Sequence, residues 1–394
     1  MKDIDVVIVG GARTPFGKVS GQFAALTAVQ LGTAAIQGAL QNAKVAPEQV
    51  DAVLMGQVLQ AGAGQNPARQ SAIAAGIPWS VNAATINKVC LSGLQAVIDA
   101  ARLIRLGEAE VVVAGGQESM TRAPHLLPGS RLGWPYGAVT ALDHAAYDGL
   151  TDAFDGLSMG ESTERSIAAL GLTRAEQDEV AAASHQRAAA ARDDGTFDAE
   201  IVPVEVPRRK GEPVSVRSDE GIRADSTGET LGRLRPAFLA DGSITAGNSS
   251  PLSDGAAALV VASREWAETR GLDYLAVVGA SGSVAGPDNS LHSQPSNAIQ
   301  AALARTDWDA ASLDIVEINE AFAAVTVQST RDLGVSPEKV NPHGGAIALG
   351  HPIGASGARL ALHAALELAR RGSGRAAVSL CGGGGQGDAL LLSR

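Results

Sequence analysis

The sequence predicts an α/β protein built from two similar halves, with an extra segment inserted into the first half. The composition supports this class, because 45% of the 394 residues are hydrophobic, 46 are glycine and only 3% are aromatic. Ala- and Gly-rich stretches between short Val/Ile runs suit helices packed closely on sheets. The same order of features also occurs twice along the chain. A chain of this length can bury the cores of two domains.

In the first half, hydrophobic periodicity and turn residues alternate between strand and helix. A strand and turn are expected over Asp5–Gly17, and the strand Val111–Ala114 is expected to end at Gly115 and Gly116. The helix that begins at Gly93 should stop at Gly107, a residue type that commonly ends helices. The elements predicted between these are a helix over Leu26–Asn42, a strand over Val50–Leu59, a short helix over Ala68–Ala75, an extended stretch over Ala83–Ile86 and a helix over Gly93–Leu106.

The second half repeats features of the first at a nearly constant separation. The segment V-D-A-V-L around Asp51 resembles L-D-I-V-E around Asp314, which lies 263 residues later. Ser92 precedes a helix, and so does Ser356, 264 residues later. The run 111–116 likewise resembles 376–383. Matching offsets of this kind indicate a duplicated unit.

One difference between the copies locates an insertion. In the second half, Cys381–Gly385 leads directly into a terminal strand, whereas the equivalent strand Ser253–Val261 follows only after a long Pro-, Gly- and charge-rich stretch. That stretch includes a predicted helix over Arg174–Asp193 and suits a cover over a site. We therefore predict a first half over 1–117 and 251–270, an inserted loop domain over 118–250, and a second half over 271–394.

Charge and cysteine content exclude several classes of protein. A net charge of -11 and a pI near 5.1 argue against nucleic acid or an anionic membrane as a general partner. No apolar run is long enough to span a membrane. Asp3 and Asp5 precede the strand Val6–Val9 in a pattern unlike a signal peptide. The two cysteines fit free thiols in a reducing compartment, so we expect a cytoplasmic protein.

Three Gly-rich turns hold the candidate chemistry. His351 lies in the middle of Asn341–Gly357, which leads into an amphipathic run over Ala358–Arg370. Cys90 lies in Asn87–Gly93 just before a helix, and Cys381 precedes four glycines. If the duplicated halves are related by a pseudo-twofold axis, these turns should converge on one site.

A cysteine–histidine pair points to acyl transfer through a thiol nucleophile. The helix dipole can lower a cysteine pKa from about 8.5 to roughly 3.5–7.5, so we expect Cys90 to be a thiolate. Cys381 could be a resolving thiol, but C-x-x-C spacing is absent and general acid/base work fits better. Asn319 follows the strand Ile315–Ile318 and could hold a water or an oxyanion.

Other motifs are weaker. The glycines that begin at Gly10 lack the G-x-G-x-x-G order of dinucleotide sites. His343 and His351 have no further ligands at metal spacing, so no metal site is predicted. The basic run 208–210 is either a solvated turn or a contact for phosphate.

Taken together, these motifs resemble those of the thiolase family, and more closely its biosynthetic, acetyl-CoA acetyltransferase branch. The resemblance spans nearly the whole chain. The motifs that carry it are Arg13–Gly17, Asn87–Gly93, Gly115–Met120, Thr245–Asn248, Asn319–Phe322, Gly344–Gly357 and Cys381–Gly387.

The resemblance implies a five-layer αβαβα fold of two similar halves with an inserted loop domain. It implies that Cys90 is the acylated nucleophile, His351 its activator and an oxyanion donor, and Cys381 the acid/base at the substrate α-carbon. Asn319 would position a catalytic water, and the backbone of Cys90 and Gly383 would form a second oxyanion hole. The residues expected to line the coenzyme A and acyl pockets are Arg223, Thr230, Ser250, Met159, Phe322 and Leu252.

The implied reaction is the reversible condensation of two acetyl-CoA molecules to acetoacetyl-CoA and coenzyme A, by a ping-pong route through S-acetyl-Cys90. No tightly bound cofactor is expected, since coenzyme A and acetyl-CoA are substrates, and family members suggest a homotetramer. The alternatives are a degradative 3-ketoacyl-CoA thiolase, a ketoacyl-synthase-like enzyme and a non-catalytic acyl-CoA-binding scaffold. Leu91, Ser158 and 291–295 depart from the family pattern, and this leaves the acyl-chain preference open.

Overall fold

The computed structural model describes residues 4–394, which contain 14 strands and 11 α-helices. The strands are β1 (Val6–Arg13), β2 (Gly17–Lys18), β3 (Ala52–Gly56), β4 (Asn82–Ile86), β5 (Val111–Ser119), β6 (His125–Leu126), β7 (Leu142–Asp143), β8 (Val204–Val206), β9 (Val214–Val216), β10 (Ser253–Ser263), β11 (Ala276–Ala285), β12 (Ile315–Ile318), β13 (Arg375–Gly382) and β14 (Gln386–Ser393). The helices are α1 (Ala28–Ala43), α2 (Pro67–Ala74), α3 (Ser92–Leu106), α4 (Met159–Ile167), α5 (Arg174–Asp193), α6 (Gly228–Gly232), α7 (Arg264–Thr269), α8 (Gln294–Leu303), α9 (Ala323–Leu333), α10 (Ala346–Leu349) and α11 (Ser356–Arg371).

Ten strands join in one sheet whose order is β12-β13-β14-β11-β1-β10-β5-β3-β4, with β2 paired to β10. The halves meet where β1 pairs with β11 through Val7–Val277 and Ile8–Ala276. Moving outward from this seam, each half has two antiparallel pairings followed by a parallel one, and the first half adds β4, parallel to β3, at its edge. Apart from this edge strand, the pattern of pairing is the same on both sides of the seam.

The register of the strands confirms the duplication read from the sequence. In the first half Ala52 pairs with Val112, and in the second half Ile315 pairs with Ala376. These partners are separated by 263 and 264 residues, the same offsets as the sequence motifs. The repeat is thus present in the structure as well as in the sequence.

The layers follow the predicted αβαβα order. The central layer consists of α3 and α11, whose apolar faces share one buried cluster with strands of both half-sheets. Helix α1 and part of α2 cover the outer face of the first half-sheet, and α8 with the end of α9 covers that of the second. Both half-sheets are therefore covered on their two faces, and this explains their nearly continuous Val, Ile, Leu and Ala content.

Glycines allow the beginnings of the two central helices to come together. A Cβ on Gly93 would lie 2.8 Å from the Gly354 oxygen and 2.9 Å from the Ala358 nitrogen. In the reciprocal position, a Cβ on Gly357 would lie 2.4 Å from the Leu94 nitrogen. Only glycine permits this backbone contact, which sets the turn before α3 beside the loop before α11.

Two sequence predictions about strands need correction. The strand predicted over Val50–Leu59 forms only at Ala52–Gly56. The strand predicted to end at Gly115 and Gly116 continues to Ser119, with both glycines inside the ladder. They are strand residues because close backbone neighbours leave no room for a side chain: a Cβ at Gly116 would lie 1.9 Å from the Gly354 oxygen.

The chain leaves the sheet after β5 and returns at β10, where Ser119 pairs with Asp254. Between them lie α4, α5, α6 and two small hairpins, β6–β7 and β8–β9. Helix α5 has the predicted bounds, Arg174–Asp193, and Thr173 caps it in a capping box. Across residues 4–394, no helix combines the length and the apolar character needed to cross a bilayer.

Candidate active site

A cavity of about 310 Å³ opens where the first turns of α3 and α11 meet. Four of the five candidate catalytic residues line it: Cys90, His351, Cys381 and Gly383. Of the six predicted pocket residues, those that line it are Met159, Ser250, Leu252 and Phe322. The structure therefore brings together most of the side chains singled out in three distant parts of the sequence.

The turn that presents Cys90 is held in a strained conformation. Val89 has a φ of 51°, a left-handed value that is rare for a β-branched residue. The Val89 N–H donates to Asn87 Oδ1 at 3.0 Å, and the Ser92 hydroxyl donates to the Val89 carbonyl at 2.6 Å. Ser92 also accepts the Lys88 N–H at 2.8 Å. These bonds fix the backbone on both sides of the nucleophile candidate.

The expectation that Cys90 is a thiolate is wrong. Burial raises the pKa of the Cys90 thiol to about 12, although hydrogen bonds from the backbone N–H groups of Cys90 and Gly383 act in the opposite direction. The desolvation cost of the charged form exceeds the gain from these donors. Cys90 therefore carries its proton at neutral pH.

His351 lines the same cavity as Cys90. Its Nδ1 lies 2.6 Å from the Ser356 hydroxyl, which itself donates to the Pro352 carbonyl at 3.1 Å. Because this hydroxyl donates its proton to Pro352, it accepts from Nδ1–H, and Nε2 is the nitrogen that carries the lone pair. Burial, with a smaller contribution from Arg359, lowers the pKa of His351 to about 4. The imidazole is thus neutral at physiological pH.

Asn319 lies behind this histidine. Its Nδ2 is 3.4 Å from His351 Nε2, and its backbone N–H donates to the Ser379 carbonyl at 3.0 Å. The side-chain oxygen is buried and has no hydrogen-bond partner among residues 4–394. A buried acceptor without a partner has the capacity to hold a water molecule.

Cys381 lies at the end of β13 and is almost fully buried. Burial raises the pKa of its thiol, and the neighbouring Cys90 raises it further. This electrostatic influence reflects the closeness of the two thiols across the cavity. Cys90 therefore makes it harder for Cys381 to ionise.

Two residues that support the histidine loop were missed as site residues. Glu118 accepts backbone N–H groups from Val58, Leu59 and Gly354 at 2.9, 3.1 and 3.0 Å, so it ties the His351 loop to the first half. Burial raises the pKa of Glu118 to about 7. Ser356 entered the sequence argument only through the repeat. The signal in the sequence that could have identified Ser356 as a site residue is its position five residues after His351.

The predicted coenzyme contacts divide into two groups. Ser250, at the cavity, donates its hydroxyl to the Ala321 carbonyl at 3.1 Å. Arg223 and Thr230 are exposed and outside the cavity lining, and Thr230 donates to the Thr227 carbonyl at 2.9 Å at the start of α6. The basic run 208–210 lies in an exposed turn between β8 and β9.

Further apolar residues line the cavity without having been identified from the sequence. They are Val89, Leu150, Phe238 and Ile353, whereas Leu291 and Ser158, which also line it, belong to the departures from the family pattern noted in the sequence. Their spacing carries no periodic signal, because they come from loops in both halves and in the insertion. Across the described residues 4–394, no cluster of three or more His, Cys, Asp or Glu side chains is arranged to hold a metal ion.

The fold and the site define an acyltransferase of the duplicated α/β class. Residues 6–265 match the thiolase N-terminal domain and residues 272–394 match the thiolase C-terminal domain. The chain belongs to the thiolase family.

Named relatives cover the full length of the chain. It is 59% identical to a probable acetyl-CoA acetyltransferase of Mycolicibacterium smegmatis over 98% of this chain and 100% of that protein. It is 48% identical to an acetyl-CoA acetyltransferase of Cupriavidus necator over 99% of each protein. The crystal structure of the acetyl-CoA acetyltransferase of Bacillus anthracis superposes with a TM-score of 0.96 at 40% identity, covering 99% of this chain and 98% of that one.

Proposed function

We propose that this protein is an acetyl-CoA C-acetyltransferase that reversibly condenses two acetyl-CoA molecules to acetoacetyl-CoA and coenzyme A. The observation that carries the proposal is the convergence of Cys90, His351 and Cys381 on one cavity. The names of the full-length relatives support the choice of acetyl-CoA as substrate.

In the first half-reaction, Cys90 attacks the thioester carbonyl while its proton passes to His351 Nε2. The neutral imidazole can accept this proton because burial keeps its pKa low. The backbone N–H groups of Cys90 and Gly383, which already face the sulfur, would stabilise the developing oxyanion. The C–S bond to coenzyme A then breaks, and the proton on His351 goes to the departing thiolate.

In the second half-reaction, Cys381 would pass its thiol proton to His351 Nε2, and the resulting thiolate would remove a proton from the methyl group of another acetyl-CoA. The protonated His351, with a water held by Asn319, would donate to the thioester oxygen of the enolate. The enolate carbon would then attack the acetyl group on Cys90, and Cys90 would leave as the new carbon–carbon bond forms and take its proton from His351. The raised pKa of Cys381 suits it to return a proton in the reverse direction.

We propose that the chain divides into a first half over 1–117 and 251–270, an inserted segment over 118–250 and a second half over 271–394. The inserted segment would form a cover through which coenzyme A reaches the cavity. Met159 and Phe238 from this segment, together with Phe322 and Leu252, supply apolar contacts around the reacting groups. Arg223, Thr230 and the basic run 208–210 are exposed on the same segment. They would meet the nucleotide end of the coenzyme, whose phosphates require local positive charge in an acidic protein.

We further propose a cytoplasmic homotetramer without a tightly bound cofactor. Large apolar side chains are exposed within residues 127–139: Leu127, Leu132, Trp134, Tyr136 and Val139. An exposed apolar group of this kind is typical of a surface that contacts another chain. Sedimentation velocity of the wild-type protein and of a Trp134→Ser/Tyr136→Ser variant would test this assembly.

The test of the activity is acetyl transfer followed by intact mass. Wild-type protein exposed to acetyl-CoA should gain one acetyl group on Cys90, and Cys90→Ala should gain none and lose turnover in both directions. Normal turnover in Cys90→Ala would contradict the proposal. Thiolysis of 3-ketoacyl-CoAs of increasing chain length distinguishes the acetoacetyl-CoA enzyme from a degradative thiolase of broader range.

A further inference from the structure

A buried ion pair joins the turn before α3 to the last strand of the other half. Lys88 Nζ lies 2.7 Å from each carboxylate oxygen of Asp388, although the two residues are 300 positions apart. The Asp388 side chain is fully buried, and a quarter of the Lys88 side chain is exposed. Ser283 donates to Asp388 Oδ1 at 2.7 Å, and Lys88 Nζ also donates to Gln95 Oε1 at 3.0 Å. The ammonium group of Lys88 and the carboxylate of Asp388 are thus each held by a further hydrogen bond as well as by the ion pair.

The pair is anchored next to the strained residue of the nucleophile turn. Lys88 immediately precedes Val89, whose left-handed φ must be maintained for Cys90 to face the cavity. The backbone N–H of Lys88 is held by Ser92, while its side chain reaches across to the second half. A strained conformation persists only where several contacts hold it in place. Here both the backbone and the side chain of Lys88, the residue before Val89, are fixed.

Asp388 also belongs to the strand that carries the opposite side of the site. In the β13–β14 ladder it pairs with Leu380, and the next pair is Cys381 with Gly387. The ion pair therefore links the turn that carries Cys90 to the β13–β14 ladder that carries Cys381. A shift of the Cys90 turn relative to β13 would have to break or stretch this contact.

We propose that Lys88 and Asp388 are positioning residues that hold the Cys90 turn in register with Cys381 and Gly383. This inference rests on the proposed role of Cys90 as nucleophile. The pair acts through geometry: it keeps the sulfur within reach of the N–H donors and His351. A misplacement of about 1 Å at such a centre can cost roughly 100-fold in rate.

The test compares Lys88→Met, which keeps the length of the stem, with Lys88→Arg, which keeps the charge and a bidentate contact with the carboxylate. We expect Lys88→Met to lower kcat for acetoacetyl-CoA thiolysis by roughly 100-fold with little change in KM, and Lys88→Arg to restore most of the lost rate. Asp388→Asn should resemble Lys88→Met. The control is Arg192→Met, which removes a cation from a solvent-exposed pair on α5, away from the contacts of Lys88, and should leave kcat unchanged.

A second measurement does not depend on acetyl-CoA. Hydrogen exchange of the peptide covering 87–95 should accelerate in Lys88→Met and in Asp388→Asn, but not in Arg192→Met. Equal acceleration throughout the protein would assign the pair to general stability and overturn the positioning role. So would an unchanged kcat in correctly folded Lys88→Met. If wild-type protein forms no acetyl-Cys90, the proposed function fails, whereas the exchange result still decides whether the pair orders the turn.

Discussion

At the scale of single residues, the protonated state of Cys90 has a measurable consequence. Because burial raises the pKa of this thiol to about 12, its reaction with iodoacetamide should accelerate by about tenfold per pH unit from neutral pH upward without levelling off. Glutathione, whose thiol has an ordinary pKa, serves as the control and should level off near pH ~8.5–9. Cys381→Ala isolates the Cys90 signal. A plateau below pH ~8 would mean that Cys90 is a preformed thiolate after all.

The Ser356 hydroxyl fixes the tautomer of His351 and is expected to matter for rate more than for binding. In Ser356→Ala, Nδ1 loses its 2.6 Å partner, so the ring is free to rotate or to place its proton on Nε2. We expect kcat to fall roughly 10- to 100-fold with KM nearly unchanged, as for other residues that orient a reacting group. Ser356→Thr retains the hydroxyl and should retain most of the rate. Equal losses in both variants would indicate a packing defect.

The two thiols should separate into two half-reactions. Cys381→Ala should still gain an acetyl group on Cys90, because acylation needs only the thiol, His351 and the N–H donors. It should form no acetoacetyl-CoA and should show little exchange of methyl protons in heavy water, because the base at the α-carbon is gone. Intact mass and deuterium incorporation report the two steps. Exchange at the wild-type rate would assign the base to another group, most directly His351.

At the scale of secondary-structure elements, the crossing of α3 and α11 depends on glycine. In Gly93→Ala the new methyl group would lie 2.8 Å from the Gly354 oxygen, so the helices must separate. We expect a loss of about 1–3 kcal/mol in the free energy of unfolding, together with lower activity because the Cys90 turn and the His351 loop move apart. Gly228→Ala, where no atom lies within 4 Å of the new Cβ, is the matched control and should be nearly neutral. Urea denaturation provides the measurement.

The sequence predicted the elements where periodicity and end signals agree. Helix α5 has a capping box at Thr173, and α3 ends at Gly107 in the left-handed conformation, so both were located closely. The predicted strand β5 was too short because glycine often marks the end of a strand. In the structure, Gly115 and Gly116 are required inside the strand by close backbone contacts from other parts of the fold. Such contacts are visible only once the halves are assembled.

The sequence allowed the candidate site residues to be grouped, but it did not reveal their ionisation or their supporting contacts. Cys90, His351 and Cys381 stand in distinctive Gly-rich turns, so residue type and repeat position were enough to group them. The ionisation of Cys90 could not be read in the same way, since it depends on how completely the assembled protein excludes water. Glu118 was missed because its role is to accept N–H groups from two loops that are distant in sequence.

At the scale of the whole molecule, buried histidines should make the fold sensitive to mild acid. Burial lowers the pKa of His185, His292, His343 and His351 to about 4, whereas in the unfolded chain it is about 6.5. Between these pH values, the four histidines are protonated in the unfolded state but neutral in the folded state. The contribution of these histidines to the free energy of unfolding should therefore fall as pH decreases from ~6.5 to ~4, by up to ~1.4 kcal/mol per pH unit for each of them.

His363 acts in the opposite direction, because its contact with Glu200 at 2.8 Å outweighs the effect of burial and raises its pKa. Its contribution is present below its unfolded pKa and is lost as pH rises through the folded one. Carboxyl groups whose pKa is raised by burial, among them Glu118 with a pKa of about 7, also take up protons in the folded state and oppose the loss. The histidine contribution is therefore measured as a difference: urea denaturation at pH values from ~7 to ~5 compares wild-type protein with His292→Phe, and the stability of the wild type relative to the variant should fall as pH decreases. A difference in the free energy of unfolding that does not change over this range would contradict the expectation.

The point where the inserted segment joins the sheet bears on how such proteins diversify. Its two ends leave from adjacent antiparallel strands, with Ser119 directly opposite Asp254, so they are only about 4.5–5.5 Å apart. A tight turn could bridge that gap without disturbing the ladder. If this segment acts as the proposed cover, its exchange would change which acyl-CoA is admitted while the cysteines and histidine stay on the duplicated scaffold.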